Sequence, residues 1–158
     1  MLTRMYAPAN IVAVRLVGTT TANDMESVSK LFDTAFQHYD VVGVVVDISR
    51  FQGASFQALL IEDSLRQKLE MKSLSIGRVA FIVDEDDTQK LDALRDFATA
   101  ESSVRVFFSD QEFYAVDWTT GPSEEHHAAN DLTEHRLVFD FLFKPDRFPV
   151  EISSFVQD

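Results

Sequence analysis

Residues Val41 to Leu60 read VVGVVVDISRFQGASFQALL, and the fold turns on how this stretch is divided. Val41 to Ile48 is β-branched at almost every position, which reads as a strand buried on both faces, as at the centre of a parallel sheet. The division places a turn after this strand and a helix from about Ser55 to Met71. Asp47 then falls near the carboxyl end of the strand, the edge of an open α/β sheet where ligands and switch groups gather.

Within that second helix, Ala58, Ile61, Leu65 and Leu69 form one stripe at helical spacing, enough to seat it on a sheet. Phe56, Leu59 and Leu60 fall on the other side of the wheel. They form a second apolar patch, which is either covered by another part of the chain or a candidate groove for a hydrophobic ligand or lipid-like molecule. Ser55 at the helix start reads as an N-cap.

Upstream, Ile11 to Val17 (IVAVRLV) is a strand, with Leu2 to Tyr6 a shorter antiparallel partner joined through Pro8-Ala9-Asn10. The run from Thr19 to Asp24 supplies capping residues, and Asn23 with Glu26 predicts a capping box. The helix that follows carries Val28, Leu31, Phe32, Ala35, Phe36 and Tyr39 on one stripe, with His38 beside its end in a structural role.

Downstream, Arg78 to Val83 (RVAFIV) is a strand followed by a helix carrying Leu91, Leu94, Phe97 and Ala98. The acidic run Asp84-Glu85-Asp86-Asp87 between them suits a helix amino end, where carboxylates cap free amides. It also admits a magnesium site shared with Asp47, and hence a metal-dependent enzyme, as the alternative reading. Val104 to Phe108 (VRVFF) is a last strand leading into a short helix from Asp110 to Trp118. Strands alternating with helices in this order argue an α/β layer architecture.

Composition bounds the function. The chain has 158 residues, 46% of them hydrophobic, with 26 acidic against 14 basic residues and a formal net charge of -12. That charge opposes attraction to nucleic acid or to an anionic membrane surface and favours a basic partner or none. Without cysteine there is no disulfide framework, thiol nucleophile or cysteine-based metal site. The sequence MLTRMYAPAN lacks the apolar core of a signal peptide, no later run is long enough to span a bilayer, and the expected compartment is the cytoplasm.

Catalytic constellations are sparse. The 5 glycines do not cluster into a phosphate-cradling loop, and no Gly-x-Ser-x-Gly elbow precedes a helix. Asp47-Ile48-Ser49 lacks the second aspartate of an Asp-x-Asp phosphoaspartate hydrolase. His126, His127 and His135 lie among Glu124, Glu125, Asp131 and Glu134 at no familiar ligand spacing, and a solvated linker accounts for them. No catalytic residue, metal ligand or cofactor is assigned.

From about Ile11 to Trp118 the chain resembles the SpoIIAA-like family, a branch of the STAS-type domains. The resemblance rests on the apolar strand with Gly18 after it and on VVVDISRFQGAS. It rests also on Arg78-Val79-Ala80-Phe81-Ile82-Val83, and on Val104-Arg105-Val106-Phe107-Phe108 leading to Ala115-Val116-Asp117-Trp118. It implies a small mixed, largely parallel sheet packed with helices. It also implies regulation without catalysis, or hydrophobic-ligand binding by analogy with CRAL-TRIO lipid carriers. In the sporulation anti-anti-sigma factors a serine of an Asp-Ser-Ser-Gly motif is phosphorylated. Here Gln52-Gly53-Ala54-Ser55 stands in its place, so Ser55 is the one candidate phosphoacceptor, without the motif's aspartate and glycine.

The chain therefore divides into residues 1–121, the STAS-like α/β domain, and residues 122–158, an acidic linker with a phenylalanine-rich tail. In Arg136 to Lys144 (RLVFDFLFK), Leu137, Phe139, Phe141 and Phe143 alternate on one face, with the period of a strand. Such a strand must be hidden, and pairing between two copies predicts a homodimer with those four residues at its interface. The expected partners are a hydrophobic small molecule or lipid, or a protein, together with this second copy. Nucleic acid and membrane insertion are not expected, and a purely structural oligomer is the third reading.

Overall fold

The computed structural model describes residues 1–55, 64, 65, 67, 75–100, 103–121 and 150–151, with backbone alone at 75, 96–100 and 150–151. Strand β1 (Leu2–Arg4) runs antiparallel to β2 (Ile11–Thr20). Helix α1 (Ala22–Phe36) leads to β3 (Val41–Ser55), and β4 (Ser75–Val83) is followed by α2 (Thr88–Ala100). Then come β5 (Val104–Phe108), a 3-10 turn (Ser109–Gln111), α3 (Glu112–Thr119) and, much later, β6 (Val150–Glu151). The strand order is β1-β2-β3-β4-β5, parallel from β2 onward, and β6 pairs with β3.

Alternation along the strands makes two cores. Val12, Val14 and Leu16 of β2 and Val42, Val44, Val46 and Ile48 of β3 point to one face, where Met25, Val28, Phe32 and Ala35 of α1, Leu94 of α2 and Leu65 cover them. Ile11, Ala13, Val45, Ala80, Ile82 and Phe107 point to the other, against Ala115 of α3. Only the short helix α3 seats on this second face among the described residues. It seats close: a Cβ on Gly43 would lie 2.9 Å from the Thr119 carbonyl oxygen and 2.6 Å from Ile11 Cδ1. Glycine at 43 is what lets helix and sheet backbone approach.

Three expectations need correction. First, β3 does not stop near Ile48 but runs 15 residues to Ser55. It does so by two bulges: Arg15 and Val17 pair with Asp47 and Arg50, and Gly18 and Thr19 pair with Phe51 and Gly53, so β3 carries an extra residue at each step. Each extra residue re-aims the chain, which returns Phe51 to the face of Ile48 and breaks the period that a sequence reading follows. Gly18 at φ +68° and Gly53 at φ +142° supply backbone conformations that other residues rarely adopt. Asp47 is consequently mid-strand, although it still marks the end of the β3–β4 ladder, opposite Ile82.

Second, β2 continues through Gly18 to Thr20, so α1 begins earlier than Asn23. Thr21 is its N-cap and forms the capping box with Asp24: Thr21 Oγ1 accepts from Asp24 N at 3.3 Å and Asp24 Oδ2 from Thr21 N at 3.0 Å. Third, α1 ends at Phe36, so Tyr39 lies outside the helical stripe and is exposed. Ser64, Leu65 and Gln67 are helical within the expected second helix, and Leu65 is in the core.

Candidate functional site

Charge enters the sheet on its second face. Arg15 and Asp47 are register neighbours on β2 and β3, each flanked by apolar residues, and Arg15 Nε donates to Asp47 Oδ2 at 2.7 Å. Asp47 is buried, and such a carboxylate is tolerated only if paired and hydrogen-bonded. Its other oxygen accepts from Ser49 N at 2.9 Å and Ser49 Oγ at 2.7 Å. Arg15 Nη2 reaches Glu112 Oε2 at 2.7 Å, in the first turn of α3. The guanidinium thus bolts the helix to the sheet. The hydrogen bond to Asp47 raises the Arg15 pKa above its ordinary value; burial opposes this, while the charges of Asp47 and Glu112 add to it.

A second cluster caps α2. Asp87 Oδ1 accepts from Lys90 N at 3.1 Å, and Asp87 Oδ2 pairs with Lys90 Nζ at 3.1 Å. Lys90 is buried, and its Nζ also donates to the Ser49 carbonyl at 3.3 Å, tying α2 to β3. Burial pushes the Asp87 carboxyl upward, but the backbone and ammonium hydrogen bonds from Lys90, with its charge, hold it below its ordinary value. Asp84 Oδ1 accepts from Ser109 Oγ at 2.5 Å. The acidic run therefore acts as a cap and a strut. Among the described residues no group of three His, Cys, Asp or Glu side chains converges to hold a metal ion, and Asp47 is not gathered with Asp84 or Asp87.

Trp118 lies on the second face near Phe107, ring centroids 6.0 Å apart. Two cations sit over its ring, Arg78 at 5.0 Å and Arg105 at 4.9 Å from the centroid, and Arg78 Nη1 donates to the Trp118 carbonyl at 2.9 Å.

Outside α3 the surface turns apolar. A groove of about 530 Å³ is lined by Tyr6, Pro8, Phe113, Val116 and Thr120, with Glu112 and Asp117 as its acids. Tyr6 is 96% exposed, Phe113 77% and Tyr114 65%, and Phe113 meets Tyr114 edge to face at 5.9 Å. Two large aromatics thus stand in solvent side by side next to this groove. Sequence reading missed this groove because an eight-residue helix is too short to display a stripe. It missed the Arg15–Asp47 pair too, although its signal was present: one charge in each of two otherwise apolar strands.

Ser55, the candidate phosphoacceptor, is the last residue of β3 and is fully buried, in register with Glu151 of β6. His38 is exposed beyond the end of α1, beside a small cavity that Arg4, Thr34 and Tyr39 also line. The proposed groove residues Phe56, Leu59 and Leu60 lie outside the described residues. So do the proposed interface residues Leu137, Phe139, Phe141 and Phe143, and the histidines His126, His127 and His135. No helix among the described residues is long and apolar enough to cross a membrane.

Among the described residues a mostly parallel sheet, opened by an antiparallel edge strand and packed with helices on both faces, defines a small α/β module of the SpoIIAA/STAS-like fold. The chain belongs to the SpoIIAA-like family, whose sequence model matches residues 11–120. Among solved structures it is similar to an uncharacterised DUF3478-family protein with a SpoIIAA-like fold from Shewanella loihica PV-4. The two share 21% identity over 75% of this chain and 92% of that one, with a TM-score of 0.50. It is also similar to the anti-sigma factor antagonist SpoIIAA in its unphosphorylated form, at 15% identity over 77% of this chain and 99% of that one, with a TM-score of 0.45. No curated protein matches the chain.

Proposed function

We propose that the protein is a regulatory module without catalysis of its own that works by binding a protein partner through the aromatic groove beside α3. The observation that carries this reading is the exposure of Tyr6 and Phe113, which line an apolar groove, with the exposed Tyr114 ring against Phe113. Family membership supports it, since the namesake of the family is an anti-sigma factor antagonist, a protein that acts on another protein. The carboxylates of Asp47, Asp84 and Asp87 support it as well, because each is engaged in holding strands and helices together. The groove acids Glu112 and Asp117 and the net charge of -12 suit a partner segment that is apolar at its centre and basic at its flanks.

The test is site-specific photo-crosslinking from position 114 in cells of the native host, with the adduct identified by mass spectrometry. A discrete adduct with one protein, lost in Phe113→Ser and reduced in Asp117→Lys, is the expected result. An adduct with lipid alone would move the function to the hydrophobic-ligand reading. The absence of any adduct that depends on Phe113 would remove the groove from the account.

A further inference from the structure

Helix α3 has a second flank. Glu112, Phe113, Val116, Asp117 and Thr120 line the groove, whereas Trp118 falls outside that stripe and packs near Phe107 of β5, at the end of the strand order. Two strands send an arginine to its ring. Arg78 comes from β4 and Arg105 from β5, where Arg105 is in register with Ala80, two residues beyond Arg78. Their guanidinium carbons lie 5.0 and 4.9 Å from the ring centroid, so the sum of those distances holds the two cations within about 10 Å of each other.

Neither cation is answered by an acid. Elsewhere the fold pairs its charges: Arg15 takes Asp47 and Glu112, Lys90 takes Asp87, and Arg95 takes Asp92. Arg78 instead donates to the Trp118 carbonyl, Arg105 has the ring alone, and no carboxylate partners either one among the described residues. In a chain with 26 acidic residues against 14 basic ones, this is a local excess of positive charge. An aromatic face attracts each cation but leaves its charge in place and most donors of its fork unspent. Cations held this close repel each other, and an anion between them would remove the repulsion. Arg78 is the fixed half of the pair, part-buried and pressed so close to Gly121 that a Cβ there would collide with its Nη1. Arg105 is exposed and can turn its fork.

We propose that Arg78 and Arg105, with the Trp118 indole, form a binding site for a phosphate-type oxyanion, free or as a phosphate monoester. The donors set the class. A guanidinium is a planar fork that takes two oxygens at once, and two forks ask for more oxygens than one carboxylate has. A phosphate group supplies them, and its second charge matches the second arginine. The net charge of -12 repels anions at long range, so these cations must outweigh it locally.

Trp118 is the only tryptophan, so it reports directly on the site. The full chain is titrated at constant ionic strength with sodium phosphate, balanced by sodium chloride, and in a second series with O-phosphoserine. Trp118 emission should change saturably, and the phosphorus NMR line of the probe should broaden in step. Arg105→Gln should weaken binding about tenfold or more, and Arg105→Lys, which keeps the charge without the fork, by less. Arg78→Gln should weaken it too; if that variant does not fold by circular dichroism, the Arg105 variants decide alone. Saturable binding of either probe supports the site, and the tighter one tells free phosphate from a monoester. No saturable change with either, or a midpoint unmoved by both Arg105 variants, overturns the proposal. Glu124 and Glu125 follow Gly121 closely in sequence, so the titration is repeated with Glu124→Gln and Glu125→Gln together. Binding that appears only in that variant gives the arginines to the chain's own acids and overturns the proposal as well.

Discussion

Arg15 and Asp47 face each other across the β2–β3 ladder, Nε to Oδ2 at 2.7 Å, and the same guanidinium extends to Glu112 on the helix above. Arg15→Met leaves the buried carboxylate without its cation. Breaking a fully buried pair costs ~3–5 kcal/mol, and because Arg15 is about a third exposed, the expected loss in urea unfolding is roughly 2–3 kcal/mol. Glu112→Gln, at the exposed end of the same chain of charges, should cost under about 1 kcal/mol. Equal losses for the two variants would contradict this ranking.

Asp87 sets an acid limit on stability. Its folded pKa lies below the ordinary 3.8, so its contribution is fully present above that value and is lost as pH falls through the folded pKa. Asp87→Asn should therefore lower Tm at pH 6, and the gap from the parent should narrow as the pH drops below about 4. A gap that is constant with pH would mean that the cap works by hydrogen bonding alone.

Gly43 is predicted to be intolerant for a steric reason. Gly43→Ala should cost about 1–3 kcal/mol, because the new Cβ meets the Thr119 backbone as well as the end of Ile11. Ile11→Val in the same chain removes one of the two obstacles and should recover part of the loss. Full recovery would show that the helix was not pressed against the sheet.

Trp118, the only tryptophan, reports on the same helix. Arg105→Gln removes one of its two cations and should cost ~0.5–1 kcal/mol with a change in emission. An unaltered spectrum and midpoint would place Arg105 in solvent, away from the ring.

The legible part of the fold was the part that keeps its period. Val41 to Ile48, Arg78 to Val83 and Val104 to Phe108 are strands because unbroken β-branched and aromatic runs have few other uses. The second half of β3 was not legible, since two bulges shift the period and Gly53 reads as a turn unless its partner Thr19 is known. The start of α1 lies two residues before the expected one for the same reason: Gly18 looks like a strand end but lies opposite a bulge of β3, and β2 runs on to Thr20. Of the site, the acidic cap at Asp87 was readable from its position before a helix. The groove was not, because Tyr6 and Phe113 are distant in sequence and meet only through the fold.

The bridging of β3 by strands on either side has a consequence for the nascent chain. When β3 leaves the ribosome, β2 is already made and can take one of its edges, but β4 is still unmade and β5 is later still. For that interval VVGVVVDIS is an apolar strand with an open flank, the form in which chains of the same kind find one another. Release of β4 closes most of that flank, and the edge at Ala54 and Ser55 is left until Val150 and Glu151 are synthesised. The hazard of this sequence is greatest during translation, and chaperone dependence should follow synthesis rate more closely than folded-state stability.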